Sequence, residues 1–253
     1  YVGNVFSLTV NADDETFAGT PIGIFQITNN GENWKEANEG IIAGYSRALI
    51  IDSENNIYAA TDSGVFISTN NGTTWLQKNN GLSNSNVFSL AANANNYIFA
   101  GTIGGGIFRS TDYGESWMEI NNGLTVTNIY TIALNSNNFI FIGTSSGIFR
   151  STNDGISWDQ INNGLTSIIV NSLVINSDDW IYSGTNSGLF YSTDNGNNWS
   201  ILDNGLSGYE NIRALSINSD DYIFAGSFSG GKVYRSTDSG ANWIGINLGG
   251  STV

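Results

Sequence analysis

No histidine and no cysteine occur among the 253 residues, so the side chains able to do chemistry are carboxylates, tyrosines and five arginines. This removes the usual general base, the thiolate nucleophile and the commonest zinc ligands. Two stretches bring the remaining groups together. Tyr45 and Arg47 lie two residues apart, and Tyr209, Glu210 and Arg213 fall within one short segment. Arginine offers a planar fork of donors that fits a carboxylate, and tyrosine adds an aromatic face with a polar tip. These five residues are the expected ligand-binding set, suited to an anion or a sugar. The competing use of the same groups is structural. A buried arginine needs a partner, which Glu210 or Asp62 would supply, or else it lines a solvated channel. Glycoside cleavage would need two opposed carboxylates. Most acids stand instead in turns, as Asp13-Asp14, Glu54, Asp178-Asp179 and Asp220-Asp221. No catalytic residue, metal site or cofactor is assigned.

Charge narrows the partners. Eight basic residues face 22 acidic ones, for a net charge of −14. Nucleic-acid binding needs clustered Lys and Arg to neutralise phosphates, and an anionic membrane surface asks for the same. The three lysines and five arginines here are scattered, so nucleic acid is excluded and an anionic membrane surface is disfavoured. No apolar run approaches the roughly 20 residues of a membrane-spanning helix, so membrane insertion is not expected. The chain starts at Tyr1 and its one methionine is Met118. With its Asn-, Thr- and Gly-rich composition, this leads us to expect a processed, mature bacterial chain, extracellular or at the cell surface.

The elements that must position these groups come from a repeat. One eight-residue phrase occurs six times: ITNNGENW, STNNGTTW, STDYGESW, STNDGISW, STDNGNNW and STDSGANW. Its tryptophans are Trp34, Trp75, Trp117, Trp158, Trp199 and Trp243, at steps of 41, 42, 41, 41 and 44 residues. Each unit holds four short apolar runs. In the third these are Val87–Ala91, Tyr97–Gly101, Ile107–Ser110 and Trp117–Ile120, separated by turns rich in Asn, Asp and Gly. A period near 42 with four strands per unit indicates a propeller blade. Small residues follow the aromatic of each second strand, which predicts close approach of neighbouring sheets. No 3.6-residue apolar period is sustained, so essentially no helix is expected. The reading is an all-β, six-bladed β-propeller in one domain, with four antiparallel strands per blade. Blades span approximately 1–41, 42–82, 83–124, 125–165, 166–206 and 207–253.

The phrase resembles the Asp-box, or bacterial neuraminidase repeat, S-x-D-x-G-x-x-W. Asp112, Asp194 and Asp238 match its acid, Asn70 and Asn153 replace it in the second and fourth units, and Ile27 and Asn29 depart from it in the first. The resemblance covers all six units and implies a hairpin between third and fourth strands on the blade's outer edge, with the six tryptophans as scaffolding. It carries a propeller fold shared by sialidases, xyloglucan-cleaving enzymes, sortilin-type receptors and the photosystem II assembly factor, and so does not fix one activity. Arg109, Arg150 and Arg235 look like the arginine trio that grips a sialic acid carboxylate. All three precede the box at one repeat position, which points them outward from different blades.

Counting from each box Trp to the core aliphatic of the next inner strand gives 15, 15, 15, 15 and 16 residues; from Trp243 through Val253 to Leu8 gives 18. This predicts six complete blades, adjacent termini and a seam without a strand clasp. One inner-strand position reads Phe6, Arg47, Phe88, Tyr130, Asn171 and Arg213 around the units. The loops beside it carry Ile22, Ile41, Ile103, Val126, Ile168 and Phe228, an expected interface set, since contiguous exposed apolar residues mark contacts. The expected function is a secreted, non-enzymatic propeller acting in protein interaction or self-assembly, such as a filament or surface-layer subunit. The expected partner is protein, including a second copy. The alternative is a carbohydrate-binding or degenerate glycosidase-like propeller, with a glycan as partner.

Overall fold

A computed structural model of the chain describes residues 4–27, 33–42, 44–206, 210–228 and 231–246. Among these residues twenty-four strands form six separate four-stranded antiparallel sheets, each running in sequence order. No α-helix occurs among the described residues. The fold is a six-bladed β-propeller. Two compact units divide it: residues 1–121 with 127–129, and residues 122–126 with 130–253. The expected meeting of the chain ends involves residues 1–3 and 247–253, which lie outside the described residues.

In the first unit, blade 1 spans strands Ser7–Val10 to Lys35–Glu36, blade 2 Ser46–Ile51 to Leu76–Gln77, and blade 3 Val87–Ala92 to Met118–Glu119. The core is made between blades rather than within them. Phe17, Ile24 and Ala37 of blade 1 pack on Leu49, Ala59, Phe66 and Trp75 of blade 2. The same layer repeats one blade on, with Tyr58 and Val65 against Leu90, Ala100, Phe108 and Trp117. The second unit follows the rule. Phe141, Ile148 and Ile161 meet Leu173, Phe190 and Trp199, while Tyr182 and Leu189 meet Ala225, Tyr234 and Trp243.

Small residues allow this spacing. A Cβ added to Gly101 would stand 2.4 Å from Ser89 Oγ and 2.6 Å from Ile129 Cγ2. Gly101, two residues after the aromatic Phe99, is thus held bare in blade 3, while blade 2 takes the small Ala60 at the equivalent position.

Each complete box builds one small hydrogen-bonded turn. Ser110 Oγ donates to Asp112 Oδ1 (2.7 Å) and accepts from Gly114 N (2.8 Å), and Asp112 Oδ1 also accepts from Ser116 N (2.9 Å). Gly114 has φ of 86° and the residue before it, Tyr113, 57°. Two successive left-handed residues close the turn, and the pattern marks only the glycine. Asn70 supplies the same acceptor, taking bonds from Ser68 Oγ and Thr74 N at 2.9 Å. What changes is the second side-chain atom: Asn70 Nδ2 donates to Thr74 Oγ1 (2.9 Å).

The tryptophans do more than cover their own hairpins. Trp75, Trp117 and Trp199 donate their indole N–H to Ala37 O (2.9 Å), Lys78 O (2.9 Å) and Ile161 O (2.7 Å), each on the outer edge of the preceding blade. Their backbone N–H groups donate to Glu39, Asn80 and Asn163 carbonyls at 2.8 Å. Trp243 departs from this and donates to Gly240 O of its own turn (3.0 Å).

Candidate functional site

The variable inner-strand position is a β-bulge. In blade 2 Ser46 pairs with Thr61 and Ala48 with Ala60, leaving Arg47 as the extra residue. The same slip isolates Phe88 in blade 3, Asn171 in blade 5 and Arg213 in blade 6. A bulge bends the strand and re-aims one side chain out of its ladder. The bulge sits where the inner strand starts, beside both the loop entering it and the loop joining the second and third strands. Asn84 Nδ2 donates to Ile103 O (3.2 Å), and Ile103 N to Asn86 O (2.9 Å), so the two loops meet on one face as expected.

In the first unit this face holds Arg47 among three rings. Its guanidinium carbon lies 4.9 Å from the centroid of Tyr45, 5.1 Å from Phe88 and 5.7 Å from Phe6. Phe6 and Tyr45 also lean on each other at 5.8 Å, and are 39% and 42% exposed. Arg47 is half-buried, its Nε is enclosed without a hydrogen-bond partner, and it forms no ion pair among the described residues. The expected pairing with Asp62 is therefore replaced by stacking on rings, which favours a weakly hydrated guanidinium.

In the second unit Arg213 is exposed. It lies 5.4 Å from the Phe228 ring centroid, and its Nη1 donates to Asn171 Oδ1 (3.4 Å). Asn171 in turn donates to Ile212 O (2.9 Å). Glu210 does not serve Arg213. It is buried, and its carboxylate accepts from Tyr234 Oη (2.9 Å) and from Ser227 Oγ, with Lys232 Nζ at 3.9 Å. Glu210 thus anchors the loop entering the third strand of blade 6. Tyr209 lies outside the described residues.

The outward trio behaves as its repeat position implies. Arg150 Nη1 donates to Asn195 O (2.7 Å) and Asn197 Oδ1 (3.1 Å) in the next box turn, and Arg109 lies 5.8 Å from the Tyr97 ring centroid. Several turn acids also tie blades together at the surface. Asp179 accepts from Ser136 N (2.9 Å) and Asp221 from Ser177 N (3.1 Å). Bonds from Ser177 hold the Asp221 carboxyl below the usual carboxylate range. Asp52, which the pattern does not single out, is buried and accepts from Glu54 N and Asn56 N (2.9 Å) and from Tyr58 Oη (3.0 Å). Burial, then the neighbouring Asp52 charge, pushes the Tyr58 hydroxyl well up. No group of three acidic residues able to hold a metal ion occurs among the described residues.

Of the apolar loop set, Ile22, Ile168 and Phe228 are exposed, whereas Ile41, Ile103 and Val126 are half-buried. Another apolar surface lies in blade 1, where Val5, Leu8, Ala18, Thr20, Phe25 and Trp34 line a concavity of about 390 Å³. Leu8 and Trp34 hold the positions of Leu49 and Trp75. Leu49 and Trp75 are 5% and 2% exposed under blade 1, but Leu8 and Trp34 are 62% and 48% exposed. Within each unit the Leu and Trp of a blade are finished by the blade before it.

Several solved structures share this architecture. An ancestral GH74 enzyme superposes with a TM-score of 0.80 at 20% identity, over 97% of this chain and 38% of that one. The extracellular domain of the hybrid two-component system BT4673 from B. thetaiotaomicron gives 0.79 at 18%, over 97% and 34%. YCF48 from Cyanidioschyzon merolae gives 0.71 at 15%, over 96% and 85%. At these identities the likeness is one of fold, and the chain spans little more than a third of the first two. No curated protein matches the sequence. The sortilin family model, described as sortilin, neurotensin receptor 3, matches residues 105–224. The DUF6242 β-propeller domain matches residues 5–139, more than half of the sequence, and the chain belongs to that family.

Proposed function

We propose that the chain is an extracellular, non-enzymatic interaction module that assembles with further copies through exposed apolar residues of its loops. The exposure of Ile22, Ile168 and Phe228 carries this reading, since large apolar side chains held in water at loops mark contacts. A contact between unlike patches of two copies is heterologous and propagates into a filament or layer.

The acids support a binding role over a catalytic one, because Glu210, Asp179 and Asp221 are engaged in holding loops and blades. The extracellular domain of a two-component system among the structural neighbours supports a location outside the cell. Sedimentation velocity and negative-stain microscopy across concentration test the reading. Wild type is expected to form growing end-to-end particles. Ile168→Glu with Phe228→Glu, at sites too exposed to cost much stability, is expected to stay monomeric. A wild type that remains monomeric at every concentration removes the proposal.

A further inference from the structure

We propose that the Arg47 bulge binds the carboxylate of an acidic sugar carried on an otherwise neutral glycan. Three observations converge there. The bulge takes Arg47 out of its ladder and sets it among Phe6, Tyr45 and Phe88. The rings lie 4.9 to 5.7 Å from the guanidinium carbon, and rings donate nothing to its N–H groups, which are the part left for a ligand. The half-buried charge has no carboxylate of its own among the described residues, and such charges are ordinarily paired. A carboxylate taken up by the guanidinium rim would supply the missing counter-charge by a charge-assisted, paired hydrogen bond.

The surroundings favour a sugar over an acidic peptide. Phe6 and Tyr45 each present an exposed ring beside the arginine, suited to the C–H face of a pyranose, and Tyr45 adds a hydroxyl. The net charge of −14 repels any ligand carrying many like charges, whether a run of acidic residues or a polyuronate. What remains is a mainly neutral glycan with an isolated acid. Ser46, beside the arginine, is buried, so the backbone below the site is fixed rather than adaptable.

The test is calorimetric titration with a cello-oligosaccharide bearing one terminal glucuronate, against the same oligosaccharide ending in glucose. Wild type is expected to favour the acidic form by about tenfold or more. Arg47→Gln should bring that ratio close to one with an unchanged circular dichroism spectrum, and Arg47→Lys should leave part of it, since the charge stays and the fork is lost. Tyr45→Ala should weaken both forms together, a stacking effect that a purely structural arginine would not produce. A Glu-containing tetrapeptide forms the third arm. Equal binding of the two sugars, binding of neither, or preference for the peptide overturns the proposal.

Discussion

Replacing Trp75 and Trp34 by alanine separates the role of the box tryptophan from its mere presence. Trp75 is 2% exposed and Trp34 48%. Burying a tryptophan removes about 150–250 Å² from water, about 4–6 kcal/mol at 25 cal/mol per Å². Measured truncations of buried aromatic residues cost about 3–5 kcal/mol. Trp75→Ala also strands the Ala37 carbonyl, which accepts its indole N–H at 2.9 Å, for about 1 kcal/mol more. A loss of about 4–5 kcal/mol is expected for Trp75→Ala and about 2 kcal/mol for Trp34→Ala. For a domain of this size each kcal/mol moves Tm by about 2–4 °C, so the first variant should melt about 8–20 °C lower and the second by less than half as much. Calorimetry at low protein concentration, where copies are apart, reads both. Equal losses at the two sites would refute the account of blade-by-blade packing, because the two tryptophans would then behave alike whatever their burial.

The box carboxylates predict an acid limb. Hydrogen bonds from Ser116 lower Asp112, and those from Asn242 lower Asp238, below the usual carboxylate range. A depressed folded-state value gives stability that is present above the unfolded value of about 4 and lost as pH falls through the folded one. Asp112→Asn with Asp238→Asn should therefore flatten the fall in Tm below about pH 4, and an unchanged slope would show that other groups set it. Gly101→Ala forces a Cβ to 2.4 Å from Ser89 Oγ and 2.6 Å from Ile129 Cγ2, and should cost about 1–3 kcal/mol by urea denaturation. A neutral result would mean that neighbouring strands can yield there.

Much of the fold is legible because one constraint is written six times. The phrase ending in Trp117, the small Gly101 and the turn Asn93 to Asn96 each demand a local geometry that few other residues satisfy, and repetition removes ambiguity. The bulge position was visible as a column, Phe6 to Arg213, in which aromatic and polar residues alternate without regard to strand pattern. Its cause was not, since a bulge is a property of pairing with a partner strand. The partner of Glu210 was misjudged for a related reason. Sequence places Glu210 near Arg213, while folding places it against Tyr234, 24 residues on. Nor could local reading show that the indoles of Trp75 and Trp117 reach across to Ala37 and Lys78, because that contact spans two repeats.

Because Trp75 closes onto Ala37 and Trp117 onto Lys78, the segment that recurs in the text of the protein is out of phase with the segment that recurs in its interior. Excising one whole period would sever two seams and leave ends that match each other. A gene of this kind can lengthen or shorten by slippage in steps of about forty codons without inventing new side chains, and lineages of such proteins should differ in blade number more readily than in blade design.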